Sequence, residues 1–323
     1  MSAAVQGHSW KQILRPMLAG VRGWRERYFG EVGYLTRRLH RFQVALAHGA
    51  RIRRRRALAA RMPLTPLARE IADALESRGY YFTSLAALGA DPAVLQYAQA
   101  LGAPVAQKSA EDVAAMRTGK SKLYWLDLFQ DKEDRPNPIL DFITMPVLLQ
   151  AAARYLGEVP ILSYISLFFT PPGTAQLMIG SQGWHRDNEQ MRQMKIFLLA
   201  HPVDSTAGPS KLLPKPYSSA RDYRNYPGYF TDEQLREFGF PEKEIVEFTG
   251  DAGSVLLIDT SALFHCGSRT LAQPRLQMIA AYHPMMSNLP YRVFKTAQLP
   301  EATYPKTNEK ILRAFEQGAL QGS

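Results

Sequence analysis

The segment around residue 185 contains a histidine and an aspartate two positions apart, His185 and Asp187. In an extended chain, side chains two positions apart point to the same face, so this imidazole and this carboxylate can reach one metal ion. One carboxylate and two imidazoles form the facial triad of iron(II) oxygenases. The pair by itself is weak, because such a tripeptide also arises by chance, and a core histidine beside a surface aspartate is the structural alternative.

Two later residues, His265 and Arg275, strengthen the interpretation of this segment as a metal site. A buried-type strand is predicted at Ser254–Asp259, and His265 follows it closely, so this strand can deliver a second imidazole to His185 and Asp187. Ten residues later, Arg275 opens another strand. An arginine there can bind the distal carboxylate of 2-oxoglutarate through two N–H groups, a contact that lysine does not reproduce. The order and types of these residues predict an iron(II) site with 2-oxoglutarate as co-substrate.

The elements that must position these residues fall into two groups. Thr65 and Pro66 are typical of the start of a helix that ends near Gly79, and further helices are predicted at 91–102 and 146–157. Strands are predicted at 80–82, 161–169, 174–179, 193–200, 244–249, 254–259 and 275–283. Helices followed by many short strands favour a β-sandwich or jelly roll with an N-terminal helical layer.

The net charge of +10 is concentrated in the first part of the chain. Residues 1–62 contain fourteen Lys or Arg and two acids, a net charge of +12, so the remainder carries −2. We expect 1–62 to form a basic amphipathic helical arm and 63–323 to form the catalytic domain, with the jelly-roll core at about 160–290. The arm has three interpretations: a helix packed on the domain, peripheral contact with an anionic membrane, or nucleic-acid binding. No recognised nucleic-acid module surrounds the arginines, which disfavours the third.

Cysteine content and hydropathy indicate the compartment. The single cysteine, Cys266, excludes an intrachain disulfide. No apolar run reaches the length of a membrane helix, and the first residues lack the apolar stretch of a secretory signal. We therefore expect a cytoplasmic protein that is either free or peripheral at the inner face of the membrane.

The motifs around the candidate ligands resemble those of the phytanoyl-CoA dioxygenase family. The resemblance rests on GWHRDNEQ at 183–190, AGPSKLLP at 207–214 and GDAGSVLLIDTSALFHCGSRTLAQPRLQMIAAYHP at 250–284, and it extends over about residues 63–290. It implies a mostly β fold with flanking helices and a double-stranded β-helix (jelly-roll, cupin-like) core. By position it assigns His185, Asp187 and His265 to iron(II) and Arg275 to 2-oxoglutarate.

The reaction that this resemblance implies is hydroxylation of an unactivated C–H bond by O2, with release of succinate and CO2. The retained carboxylate of Asp187 favours oxygen transfer over halogenation, for which related enzymes have a small residue at that position. The sequence Pro214–Tyr217 departs from the usual family ending of the central motif, so no family substrate is carried over.

The Pro-, Gly- and Tyr-rich stretch between Ala200 and Thr231 is long enough to be a lid. Its cations and tyrosines suit an anionic small-molecule or lipid-linked substrate, and a solvated loop is the alternative. Two substrate classes have this charge: an acyl-CoA or other activated metabolite, and an acidic sugar of lipopolysaccharide. The alternative function is a non-catalytic jelly-roll module that binds an acidic ligand.

Overall fold

The computed structural model describes residues 42, 45–116, 125–129, 133, 137–177, 179–187, 192–218, 228–285 and 303–320. Predictions made for most of the arm and for residues 219–227 lie outside this range. The helices are α1 (residues 45–61), α2 (Pro66–Ser77), α3 (Ala93–Gly102), α4 (Ala110–Ala115), α5 (Pro138–Ile143), α6 (Pro146–Leu156), α7 (Lys215–Ser218), α8 (Asp232–Glu237) and α9 (Pro305–Glu316). As predicted, α2 begins after Thr65, whose hydroxyl accepts the backbone N–H of Ala68 at 3.3 Å.

Within the described residues, nine strands form two antiparallel sheets. The strands are β1 (Tyr80–Ser84), β2 (Leu126–Asp127), β3 (Ile161–Thr170), β4 (Met194–Leu199), β5 (Ser210–Leu213), β6 (Val246–Phe248), β7 (Ser254–Ile258), β8 (Phe264–Cys266) and β9 (Arg275–His283). The large sheet has the order β1-β7-β4-β9-β3-β2, and the small sheet has the order β6-β5-β8. Every sheet neighbour pairs antiparallel, as expected for a jelly roll.

The two sheets pack face to face. Phe197 and Leu256 of the large sheet share an apolar cluster with Leu212 and Phe248 of the small sheet. Because side chains alternate along a strand, the other face of the large sheet presents a second apolar surface, which the helices cover. This arrangement confirms the predicted double-stranded β-helix core with flanking helices.

The side chains of strand β9 point alternately to the two faces of the large sheet. Leu276 and Met278 lie in the cluster shared with the helices, whereas Arg275, Gln277 and Ile279 line a cavity between the sheets. A shift of one residue in this strand would exchange the two sets of side chains. The register of β9 against β3, with Thr170 opposite Arg275, therefore determines which residues reach the cavity.

Helix α1 contacts the body of the protein. Ile52 is buried in a cluster with Ile161 and Met285. Arg55 is also buried, and its guanidinium donates to the carbonyls of Val159 at 3.1 Å and Pro160 at 3.0 Å. The described part of the arm therefore packs on the domain, and the division at residue 62 stays a prediction. Among the helices that the structure describes, none has both the length and the apolarity of a membrane span.

One predicted strand is wrong and three strands were missed, β2, β5 and β8. Residues 174–177 form turns, because Gly173 has a φ of 80° and the Thr174 hydroxyl is bound to the carbonyl of Ser268 at 3.0 Å. β5 lies inside the stretch interpreted as a lid, and β8 is three residues long. β2 has two residues, and all three missed strands are too short to show alternation in the sequence.

Candidate metal centre

Two of the three predicted ligands lie opposite each other across paired backbones. On one side of β8, Leu212 of β5 is opposite His265. On the other side, His185 and His265 form an antiparallel bridge in which each N–H donates to the other carbonyl, at 3.0 and 2.9 Å. The N–H of Asp187 donates to the carbonyl of Thr260 at 2.9 Å. Regular main-chain pairing therefore sets the spacing of the ligands.

The side chains of the three predicted ligands converge. One ligand atom from each of His185, Asp187 and His265 lies within 4.8 Å of the other two. Nε2 of His185 is 3.7 Å from Oδ1 of Asp187, and the centroids of the two imidazole rings are 4.2 Å apart. The structure thus brings together the residues that the sequence selected.

Backbone carbonyls determine which nitrogen of each imidazole carries the proton. Nδ1 of His185 is 2.9 Å from the carbonyl of Gly183, and Nδ1 of His265 is 3.2 Å from the carbonyl of Leu263. A carbonyl oxygen only accepts, so each Nδ1 carries the proton. Each Nε2 therefore keeps its lone pair for a metal ion.

Burial and neighbouring charges set the protonation of the ligands. Burial lowers the pKa of His185, and it lowers the pKa of His265 to about 3, so both imidazoles are neutral at pH 7. Burial by itself raises the pKa of Asp187, but the charge and the hydrogen bond of Lys195 outweigh it and hold that pKa well below its usual range. The site offers two neutral nitrogen ligands and one carboxylate.

The two oxygens of Asp187 have different surroundings. Oδ2 accepts hydrogen bonds from Nζ of Lys195 at 2.5 Å, from Nε2 of Gln193 at 3.2 Å and from the hydroxyl of Thr260. Oδ1 faces Nε2 of His185. Because three donors occupy the lone pairs of Oδ2, Oδ1 is the oxygen available to a metal.

Arg275 lies on the wall of the same cavity, which has a volume of about 180 Å³. Its Nη1 donates to the carbonyl of Gly208 at 2.8 Å and to the hydroxyl of Ser210 at 3.3 Å, and its Nη2 contacts the hydroxyl of Ser268. A Cβ at Gly267 would lie 3.1 Å from Nη1 of Arg275, so the glycine keeps the guanidinium uncrowded. These contacts fix the guanidinium where it can bind a carboxylate in the cavity.

The donor set fits iron(II). Two imidazole nitrogens and one carboxylate oxygen on one side of a cavity are the ligands that non-haem iron oxygenases use. Each ligating imidazole also has its Nδ1 bound to a backbone carbonyl, as metal-binding histidines commonly do.

The residues beside the ligands pack behind the metal site, as the alternation of the extended segment predicts. The indole Nε1 of Trp184 donates to Asp232 at 2.6 Å, and Arg269 donates to both oxygens of the same carboxylate at 2.6 and 2.8 Å. Arg186 donates to the carbonyl of Ser261. Arg269 thus forms a salt bridge with Asp232.

Sequence reasoning missed several residues that touch the site. Gln193, Lys195 and Thr260 contact Asp187, and the ring of Tyr229 lies 5.0 Å from the ring of His185. Gln193 and Lys195 are two positions apart at the start of a strand, so the sequence could have predicted that their side chains point to the same face. Their proximity to Asp187 depends on the pairing of strands and has no local signal.

The chain has a jelly-roll fold with a two-histidine, one-carboxylate cluster between its sheets. No family model matches it, and no curated protein matches it in sequence. Among solved structures, it is similar to apo EctD from S. alaskensis, with 21% identity over 70% of this chain and 79% of that chain and a TM-score of 0.46.

Two further solved structures are similar to the chain. One is the non-heme alpha ketoglutarate dependent epimerase SnoN from nogalamycin biosynthesis, with 13% identity, 68% and 83% coverage of this chain and that chain, and a TM-score of 0.44. The other is the non-heme monooxygenase ThoJ, with 14% identity, 78% and 100% coverage and a TM-score of 0.47. At such identities, activity and substrate must be argued from the site itself.

Proposed function

We propose that the chain is an Fe(II)- and 2-oxoglutarate-dependent dioxygenase that hydroxylates an unactivated C–H bond and releases succinate and CO2. The observation that carries this proposal is the meeting of His185, Asp187 and His265 in one cavity with Arg275. Three metal ligands and a fixed guanidinium, in a cavity between two sheets, suit a metal-chelating dicarboxylate.

Each residue of the site has a distinct role in the proposed reaction. His185, Asp187 and His265 would hold iron through Nε2, Oδ1 and Nε2, and bound iron with 2-oxoglutarate supplies the oxidation of the substrate by O2. Arg275 would bind the distal carboxylate of 2-oxoglutarate and orient the molecule. His185, His265 and Arg275 are largely buried, and a buried setting strengthens charged contacts.

The charges of the cavity favour an anionic substrate. Its lining includes Asp187, Lys195 and Arg275, which give a net charge of +1 when the imidazoles are neutral. The charges of iron(II) and 2-oxoglutarate cancel, so the excess positive charge remains for the substrate. An acyl-CoA or another activated metabolite and an acidic sugar of lipopolysaccharide both carry the required negative charge.

The exposed side of α1 supports a further proposal, peripheral contact with an anionic membrane. Leu46 on this helix is 70% exposed, Phe42 just before the helix is 61% exposed, and Arg51 and Arg53 are exposed nearby. Apolar side chains beside arginines are typical of helices that bind the surface of anionic membranes. The cytoplasmic location stays a prediction.

The proposed reaction is tested with purified protein, Fe(II), 2-oxoglutarate and a panel of anionic candidates, with succinate as the readout. We expect O2-dependent succinate from the wild type, and a loss of at least about 100-fold in Asp187→Ala, because one of three ligands is removed. Arg275→Lys should keep the metal but raise the KM for 2-oxoglutarate about 10-fold, because the forked contact is lost.

The matched controls are Asp73→Ala and Arg154→Lys, which change exposed residues on α2 and α6 and should behave as wild type. Full succinate formation by Asp187→Ala would contradict the proposal. Binding of 2-oxoglutarate without succinate formation, across the whole panel, would favour the non-catalytic module instead.

A further inference from the structure

A chain of buried hydrogen bonds leads away from the candidate ligand Asp187. Nε2 of Gln193 donates to Oδ2 of Asp187 at 3.2 Å and to the hydroxyl of Thr260 at 2.6 Å. Oε1 of Gln193 lies 2.9 Å from Nε2 of His283. Gln193, Thr260 and His283 are 0%, 0% and 3% exposed, so water does not compete for these contacts.

The direction of each hydrogen bond in this chain is determined by chemistry. An ionised carboxylate only accepts, so the amide nitrogen of Gln193 must face Asp187 and the amide oxygen must face His283. The amide oxygen only accepts, so Nε2 of His283 must donate. His283 therefore carries its proton on Nε2 and fixes the orientation of the Gln193 amide.

This chain of hydrogen bonds connects the candidate metal site to the strands of the large sheet. Gln193 directly precedes β4, Thr260 follows β7 by two positions, and His283 is the last residue of β9. These three strands are neighbours in the sheet, and their ends converge on one carboxylate. With Lys195 as the third donor, Oδ2 is held from three directions and Oδ1 is turned toward the imidazoles.

We propose that Gln193, oriented by His283, is a positioning residue that holds Asp187 as a one-oxygen ligand and so sets the affinity of the site for a divalent metal. The proposal rests on the metal site of the proposed function and adds residues that no local motif indicates. Donors to the non-ligating oxygen restrict rotation of a carboxylate, and losing such a partner typically weakens metal binding 10- to 100-fold.

The test measures Co(II) binding to the metal-free full-length protein by competition with a chelator, together with the visible spectrum of the bound Co(II). Gln193→Met keeps the volume of the side chain but removes its donors, and we expect Co(II) affinity to fall about 10- to 100-fold with an altered spectrum. His283→Leu should weaken binding in the same direction. His283→Gln places an amide donor near the position of Nε2 and should restore affinity to within about 3-fold of wild type.

The control is Gln150→Met, which removes a buried glutamine of α6 that is hydrogen bonded to Thr65 and Leu320, away from the metal site. Its Co(II) affinity should equal that of the wild type, whatever its melting temperature. Wild-type affinity and spectrum in Gln193→Met, or an equal loss in Gln150→Met, would overturn the positioning role alone. A wild-type protein that binds no Co(II) would overturn the metal site and the positioning role together.

Discussion

At the scale of single residues, the site combines ionised and neutral groups in close contact. Asp187 stays charged beside Lys195, while His185, His265 and His283 are buried and neutral. Neutral imidazoles suit both metal binding and directed hydrogen bonding. They also make stability depend on pH, because the same side chains bind protons once the chain unfolds.

Burial lowers the pKa of both His265 and His283 to about 3, against an ordinary value of about 6.5. Their contribution to stability is complete above pH 6.5 and is lost as pH falls from 6.5 toward 3, because only the unfolded chain gains the protons. Each should add a slope of up to about 1.4 kcal/mol per pH unit to the free energy of unfolding in this window.

Urea unfolding of the metal-free protein between pH 7 and 5 measures this slope. Asp259 and Glu158, whose pKa values burial raises, act in the opposite direction, so variants are compared rather than totals. His283→Gln should lower the slope by up to about 1.4 kcal/mol per unit. His201→Gln, at a half-buried histidine, should change it less. An unchanged slope in His283→Gln would contradict burial of a neutral imidazole.

The sequence could predict the residues that carry the site because their signals are local. A His-x-Asp pair, a strand before His265 and an arginine opening the next strand are all visible within short segments. The contacts of Gln193 and His283 are not visible in this way, since 90 residues separate them in the chain. Only the antiparallel register of the large sheet brings them together.

At the scale of elements, predictions succeeded where strands are long and buried. β3 and β9 have ten and nine residues, and the sequence predicted both within one residue at each end. β5 and β8 have four and three residues and lie beside turns, so no alternation could be recognised. The small sheet that carries His265 therefore could not be derived, although His265 itself could.

Gly208 shows how a turn supports the site. Its φ is 68°, its carbonyl accepts from Arg275, and a Cβ would lie 2.7 Å from backbone atoms of Arg269 and Thr270. Gly208→Ala should therefore lower the free energy of unfolding by about 2–3 kcal/mol, through both the left-handed conformation and the clash. Urea denaturation measures the loss.

Gly89 provides the matched control for this prediction. Its φ is 69°, but a Cβ there would meet nothing within 4 Å. Gly89→Ala should cost about 1 kcal/mol, from the backbone conformation alone. Equal losses in the two variants would show that the close approach at Gly208 contributes nothing.

In the whole molecule, the positive charge is concentrated in the N-terminal arm. The arm carries more than the entire net charge of +10, and its last turns pack on the body through Ile52 and Arg55. The composition revealed the basic arm, but it could not show which arginine would be buried. Unlike its exposed neighbours Arg54 and Arg56, Arg55 is buried and donates to the carbonyls of Val159 and Pro160.

The proposed membrane contact involves the basic arm of the whole chain. The full chain should float with vesicles that contain anionic lipid, and the bound fraction should fall with added salt. Leu46→Glu should weaken binding about 10-fold, because an exposed apolar side chain is replaced by an anion. Leu271→Glu, at a leucine 58% exposed elsewhere, is the control that should bind as wild type. Equal flotation with neutral vesicles would contradict the proposal.

The bridge between residues 185 and 265 has a consequence for how the centre is filled. Main-chain hydrogen bonds, not the ion, hold the two imidazoles at their separation. The conformational entropy of ordering the ligands is therefore lost when the chain folds rather than when metal arrives. If the proposed function holds, chelation should empty such a preorganised centre and added metal should refill it without refolding.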